Sequence, residues 1–263
     1  MVRVDAVVLA GGLNSSSLRE NSGCTSEALI SIGNRPMVEY VVKALKHTPE
    51  VSRIVVAGHR KDMAAVFAKD PELILTESGP TTVSTLLNGL QALREQILVS
   101  GPLSDLVLVT AGDIPMITPE AIQNFLGLCH KRKADLYYPI VTREASESKY
   151  PGMQRTYVRL REGYFTGGNL ILVDPTVVER CAKLADQMIL RRKNPLALCQ
   201  LLGWRFVLKF LFHYLSLPEV EKKVSTMLGI NGVAVISDYP EVGVDVDKPS
   251  DLQLARRLLK AGC

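Results

Sequence analysis

The chain lacks the cysteine pattern of a zinc finger or a disulfide scaffold. Its five cysteines (Cys24, Cys129, Cys181, Cys199 and Cys263) are odd in number, scattered, and nowhere spaced C-x-x-C. That pattern implies reduced thiols, a cytoplasmic protein and no zinc site. No charged n-region with a cleavage site opens the chain, so no signal peptide is read. No apolar run is long enough to predict a membrane span. A strong excess of either charge is missing too, with 31 Lys and Arg against 27 Asp and Glu, a net of +4. So small an excess suits an anionic small substrate and makes no case for nucleic acid. The histidines, His47, His59, His130 and His213, have no partners at ligand spacing and receive no metal or catalytic role. Two familiar phosphate loops are missing as well. There is no G-x-x-x-x-G-K-[ST], and Gly11-Gly12 is not followed by the third glycine of G-x-G-x-x-G. Internal repeats and low-complexity tracts are also absent.

What is present begins at residue 4. The apolar, β-branched run Val4–Leu9 ends in Ala10-Gly11-Gly12, and a polar loop, Leu13 to Ser26, follows. A strand that breaks into glycines brings bare backbone amides close to a ligand. In an open α/β sheet, ligands bind at the carboxyl ends of the strands. Leu9–Gly12 therefore reads either as a phosphate- or nucleotide-holding loop or as a tight turn after a buried strand.

Apolar runs recur at 6–10, 54–58, 73–76 and 106–110. Between them Met37, Tyr40, Val41, Ala44 and Leu45, and then Val83, Leu86, Leu87, Leu90 and Leu93, repeat at helical spacing. This alternation predicts βαβ units in an α/β fold. Pro36 suits a first helical position, Thr81 or Thr82 a helix cap, and Thr118-Pro119 the start of a helix over 120–132. Later strands are expected at 136–141, 156–160, 169–173 and 233–237, with a last helix over 249–259. Residues 143–155 read as a mobile loop. From Pro175 to Leu228 helical signals dominate. Within that stretch the dense apolar and aromatic segment 204–215 reads as a buried or packing helix in preference to an interfacial membrane helix. A dimer contact or a lid over the substrate is compatible with it.

Two acidic motifs carry chemistry. Gly112-Asp113-Ile114-Pro115 ends the strand over 106–110, where a carboxylate facing a phosphate loop suits Mg²⁺, or else caps the turn. Asp245 and Asp247 lie between the last strand and the last helix and share a face of an extended chain. Asp251 belongs to the helix start, where negative charge is favourable.

Several pieces, in order and spanning nearly the whole chain, carry a family likeness. They are Leu9–Gly12, Ala28–Val41, Gly112–Pro115, Thr166-Gly167-Gly168-Asn169, and Asp245–Leu252. With these the chain resembles the nucleotidyltransferases of the sugar-phosphate and molybdenum-cofactor type, the MobA-like group. The helix over 84–93 is similar to one in their cytidylyltransferase branch, which would put Gly79 and Thr85 at base-contacting positions. The resemblance implies a glycosyltransferase-A-like fold: a Rossmann-like, mostly parallel mixed sheet sandwiched by helices. It implies one domain over 1–263 with a mainly helical insertion at about 176–230. It also implies a nucleotide site at Leu9, Ala10, Gly11, Gly12, Gly79, Thr85 and Gly112. Thr166–Asn169 would take a phosphorylated, anionic acceptor, and Asp113 and Asp247 would hold Mg²⁺. The reaction implied joins a nucleoside monophosphate from a nucleoside triphosphate to that acceptor and releases pyrophosphate.

Two departures stand out. Glu27 occupies a place where the family has Lys, and the nearest loop arginine, Arg19, comes three residues later than the family's. A carboxylate beside a triphosphate is repulsive, on the scale of about 3–4 kcal/mol for one lost electrostatic donor. Either Arg19, Arg35 or another cation substitutes, or the protein binds nucleotide with weak or no activity. Glu27 could also hold a metal or pair with Arg19 or Arg35. A glycosyltransferase is a more distant alternative, because Asp245-Val246-Asp247 spells D-x-D but lies late in the chain.

Overall fold

Both faces of the first strand are sealed, and this explains its unbroken apolar run. In a computed structural model of the chain, which describes residues 3–12, 18, 24, 26–96, 101–191 and 203–260, β1 (Val4–Leu9) lies inside a nine-stranded sheet. It pairs in parallel with β4 (Val51–Gly58) and β6 (Val107–Ala111). Parallel strands covered by helices on both sides have no solvent face to mark with polar residues. Ala6 and Val8 pack with Val56 and Leu108 beneath α1 (Met37–Lys46) and α4 (Pro119–Cys129). Val7, Val55 and Val109 pack on the other side, against Leu86, Leu90 and Leu93 of α3 (Thr82–Glu95).

The fold is α/β, with a mixed, mostly parallel sheet. β5 (Ile74–Glu77) flanks β4, and α2 (Arg60–Val66) crosses between them. Beyond β6 the order continues through β10 (Leu170–Val173) to β7 (Leu136–Thr142), both pairings antiparallel. β7 is the hub of the second half. It also pairs with β11 (Gly232–Ser237), in parallel, and with β9 (Gly163–Gly167), which carries β8 (Val158–Leu160) at the edge. All strands of this sheet except β9 and β10 run the same way, so β1, β4, β5, β6 and β7 end at one edge. A small hairpin, β2 (Ser31–Ile32) with β3 (Arg35–Pro36), stands apart.

Caps fall close to the expected places. Thr81 caps α3 through a reciprocal pair with Ser84, and Thr118 caps α4. Pro36 precedes α1 as its cap, one residue before the expected position. Three expectations need correction. Residues 143–149 form a helix, α5 (Arg143–Lys149), because the Thr142 side chain accepts from the Ala145 amide. Thr166 and Gly167 belong to β9, which was not foreseen. Segment 204–215 is not buried: α7 (Trp204–Leu211) leaves Trp204 70% exposed and Leu211 60% exposed. Only its inner side packs, through Phe206 and Leu215, against Ile140 and Phe165. With α6 (Pro175–Arg191) and α8 (Leu217–Leu228), α7 makes the region between β10 and β11 mainly helical among the described residues. α9 (Pro249–Lys260) closes the described chain. No described helix is long and apolar enough to cross a membrane.

Candidate functional site

Three distant chain segments meet at the carboxyl edge of β1 and β6. The Gly112 amide donates to Leu9 O at 2.9 Å, which joins the two strand ends. The Val246 amide donates to Asp113 O at 3.1 Å and draws in the segment before α9. Ser26 Oγ donates to Ala10 O at 2.9 Å and fixes the short 3-10 helix Glu27–Leu29 on the same edge. Under these bonds Leu18, Ile30, Met37, Met116, Val244 and Val246 form a separate buried cluster. The edge is thus braced from below as well as by hydrogen bonds.

The convergence sets Glu27, Asp113 and Asp247 side by side, each with a carboxylate oxygen within 4.8 Å of the others. Asp113 and Asp247, chosen from their motifs, do come together. Glu27 joins them, where sequence had read mainly a repulsive substitution. Asp113 Oδ1 is buried and has no hydrogen-bond partner among the described residues. Burial, and then the charges of Asp245, Glu27 and Asp247, push the Asp113 carboxyl up to about 7. Asp247 is also held above the ordinary carboxylate value, first by desolvation and then by Asp245, with Arg155 opposing. The donor set is all oxygen, as Mg²⁺ requires. The unpartnered Asp113 oxygen is what a cation would satisfy, so these residues fit the ion.

Asp245 is turned to another partner. Arg155 hydrogen-bonds to its carboxylate and to Gly243 O. Sequence offered no signal for this arginine, which stands alone in a loop. Lys149 likewise reaches the buried Glu241, at 2.7 Å. Arg35, one cation considered for the missing lysine, is exposed and stands 4.0 Å from Glu39. Arg19 lies outside the described residues.

The loop residues divide by role. Leu9 O and both backbone groups of Ala10 hold the strands and Ser26 together, Ala10 N donating to Ala57 O at 2.7 Å. Gly11 and Gly12 continue past those bonds, with Gly12 exposed. Gly79 N donates to Thr85 Oγ1 at 3.0 Å, and that hydroxyl donates to Thr81 O at 2.8 Å. Gly79 and Thr85 therefore shape a turn at the start of α3, next to Gly11. On the far side, Thr166 and Gly167 pair with β7, and Gly168 N donates to Pro139 O at 2.8 Å. A side chain at Gly168 would meet Pro139 Cγ at 2.7 Å, so this glycine permits a close backbone crossing. Asn169 bridges its neighbours through N to Val242 O, at 2.7 Å, and O to Ala111 N, at 2.9 Å. Its Nδ2 is buried without a partner among the described residues.

A parallel βαβ half ends in a glycine loop, beside which stand Asp113, just after β6, and Asp247, in the segment before α9, a site at the sheet's carboxyl edge in an α/β protein. Sequence comparison makes the class specific: residues 6–208 match the MobA-like NTP transferase domain, and the chain belongs to that family. It is 39% identical to a hypothetical transferase of known structure from Thermus thermophilus, covering 95% of this chain and 100% of that one at a TM-score of 0.79. It is 26% identical over 243 residues to a 3-deoxy-manno-octulosonate cytidylyltransferase of an Anaeromyxobacter species, covering 89% of this chain and 91% of the relative. A 2-C-methyl-D-erythritol 4-phosphate cytidylyltransferase of Klebsiella pneumoniae is 28% identical over 152 residues, 57% of this chain. That match spans 59% of the Klebsiella protein's length. At the level of the family, nucleotidyl transfer is the shared activity.

Proposed function

We propose that the protein transfers a nucleoside monophosphate from a nucleoside triphosphate to a phosphorylated small molecule. One observation carries the reading: the Asp113 and Asp247 carboxylates converge beside a glycine loop at the sheet's carboxyl edge. The two cytidylyltransferase relatives favour CTP as the donor to try first.

In this reading Gly11 and Gly12 receive the triphosphate through backbone amides, and the turn at Gly79 borders the base. Asn169 Nδ2, which has no partner among the described residues, donates to the acceptor. Asp113 and Asp247 hold Mg²⁺, which when bound supplies positive charge against the phosphates. An acceptor phosphate oxygen attacks the α-phosphorus in line. The new P–O bond forms as the bond to the bridging oxygen breaks, and pyrophosphate leaves. The acceptor is already an anion, so the chain need supply neither a base nor a covalent intermediate. Its work is positioning and charge balance.

Asp113→Asn tests this reading in a steady-state assay of pyrophosphate release. A loss in kcat of about 10²–10³ is expected, the scale for one electrostatic group at a reacting centre. Turnover at the wild-type rate would remove Asp113 from the site.

A further inference from the structure

We propose that Glu27 completes a three-carboxylate site with Asp113 and Asp247 that takes up a divalent cation on the free protein, before nucleotide binds. This rests on the reading of Asp113 and Asp247 as cation ligands and adds a ligand to it.

Glu27 is held in place by the fold. Its neighbour Ser26 is tied to the end of β1. Ile30 N donates to Glu27 O at 3.0 Å, and Met37 N donates to Ile30 O at 3.0 Å, linking the short helix to α1. Ala28 is buried against the turn after β6, so close that a side chain on Gly112 would meet Ala28 Cβ at 3.2 Å. The Glu27 backbone is thus wedged between the ends of β1 and β6, and its side chain is offered from a fixed base.

The spacing suits one ion. Ligands on opposite sides of a cation with bonds of 2.0–2.6 Å stand about 4–5 Å apart. The three carboxylate oxygens already lie within 4.8 Å of one another. Like charges at that distance repel, and the nearby Arg155 is engaged with Asp245 and Gly243. A second observation points to a ligand independently. Asp113 Oδ1 is buried with no donor among the described residues, and such an oxygen calls for a cation or a proton.

The charge sequence follows. With Glu27 ionised and no cation, the cluster repels a triphosphate. With a divalent cation seated, most of that charge is cancelled and phosphate can approach. The carboxylate at position 27 is then part of the cation site. The nucleotide joins an ion already in place, instead of carrying the ion in.

Mn²⁺ alone is the probe, titrated into nucleotide-free protein and followed by the paramagnetic resonance of the free ion. Wild type is expected to bind one Mn²⁺ per chain. Glu27→Gln, nearly equal in shape, should weaken it at least tenfold, and Asp113→Asn should do the same. Glu27→Asp should fall between wild type and Glu27→Gln, and thermal unfolding of each variant checks the fold. Wild-type affinity in Glu27→Gln would overturn the proposal and leave the aspartate pair as the site. No Mn²⁺ without CTP, but binding with it, would also overturn it and leave the nucleotide reading standing. Absence of binding in both conditions would overturn both.

Discussion

Gly11 and Gly12 are neighbours with opposite tolerances. A Cβ on Gly11 would lie 2.3 Å from Ser78 Cβ, whereas a Cβ on Gly12 meets nothing within 4 Å among the described residues. Gly11→Val therefore strains the β1–β5 edge, at about 1–3 kcal/mol for overpacking, and any loss of nucleotide affinity would have two causes. Gly12→Val is the clean probe. It should melt with wild type and bind nucleotide at least tenfold more weakly, by calorimetric titration. Unchanged affinity would take the loop out of the nucleotide site. Asp113 and Asp247 were legible in the sequence because each follows a run that must be a strand and precedes a proline or a helix. Glu27 was read first as a repulsive substitution, with metal binding or an ion pair as alternatives, because its meaning depends on which carboxylates stand beside it. Those lie 86 and 220 positions further along. Arg155 was invisible, since an arginine in a loop carries no pattern until Asp245 is placed against it.

The first two strands of the parallel half are joined by a buried ion pair. Arg53 on β4 reaches Asp5 on β1 at 2.6 Å, with the aspartate side chain 1% exposed and the arginine 12%. Burial alone would raise the Asp5 carboxyl, but the Arg53 guanidinium and the Ser104 amide outweigh it and hold it below its usual value. A depressed native value means that this contribution is complete above the unfolded carboxylate range, near pH 4, and fades as pH falls through the native value. Asp5→Asn leaves Arg53 without its counter-charge and should cost about 3–5 kcal/mol at pH 7. Urea unfolding should show that gap shrinking at pH 3. A pH-independent gap would mean that the pair acts through packing alone. Among the elements, β1, β4, β5 and β6 were legible because each is an apolar run between helical repeats. β9 was not, since five residues bounded by glycines look like loop until β7 pairs with them. α5 was hidden by polar composition. α7 was misjudged because its apolar side is wide, broken by charge only at positions 205 and 209 one turn apart, and the fold covers just part of that side, leaving Trp204 and Leu211 exposed.

At the scale of the molecule, the alternation of strands and helices gave the α/β class and the resemblance implied the family's fold, but neither gave the strand pairing in the second half of the sheet. There β7 gathers β9 and β10, from residues 163–173, and β11, from 232–237. Such pairing leaves no local trace, because hydrogen bonding between strands does not depend on which side chains they carry. The same closure brings Asn169 and the 243–247 segment to the edge of β6, and so makes one site from the two halves. That the site performs nucleotidyl transfer is the central claim, and label transfer tests it most directly. Each of the four nucleoside triphosphates, labelled at the α-phosphorus, is incubated with Mg²⁺ and a pool of phosphorylated sugars and polyols. The account predicts that label from one triphosphate, with CTP the first candidate, enters a nucleotide-linked product. One pyrophosphate should appear per product, and Asp113→Asn should slow both by about 10²–10³. Triphosphate binding with no label leaving the nucleotide, or label released only as the free monophosphate, would contradict it.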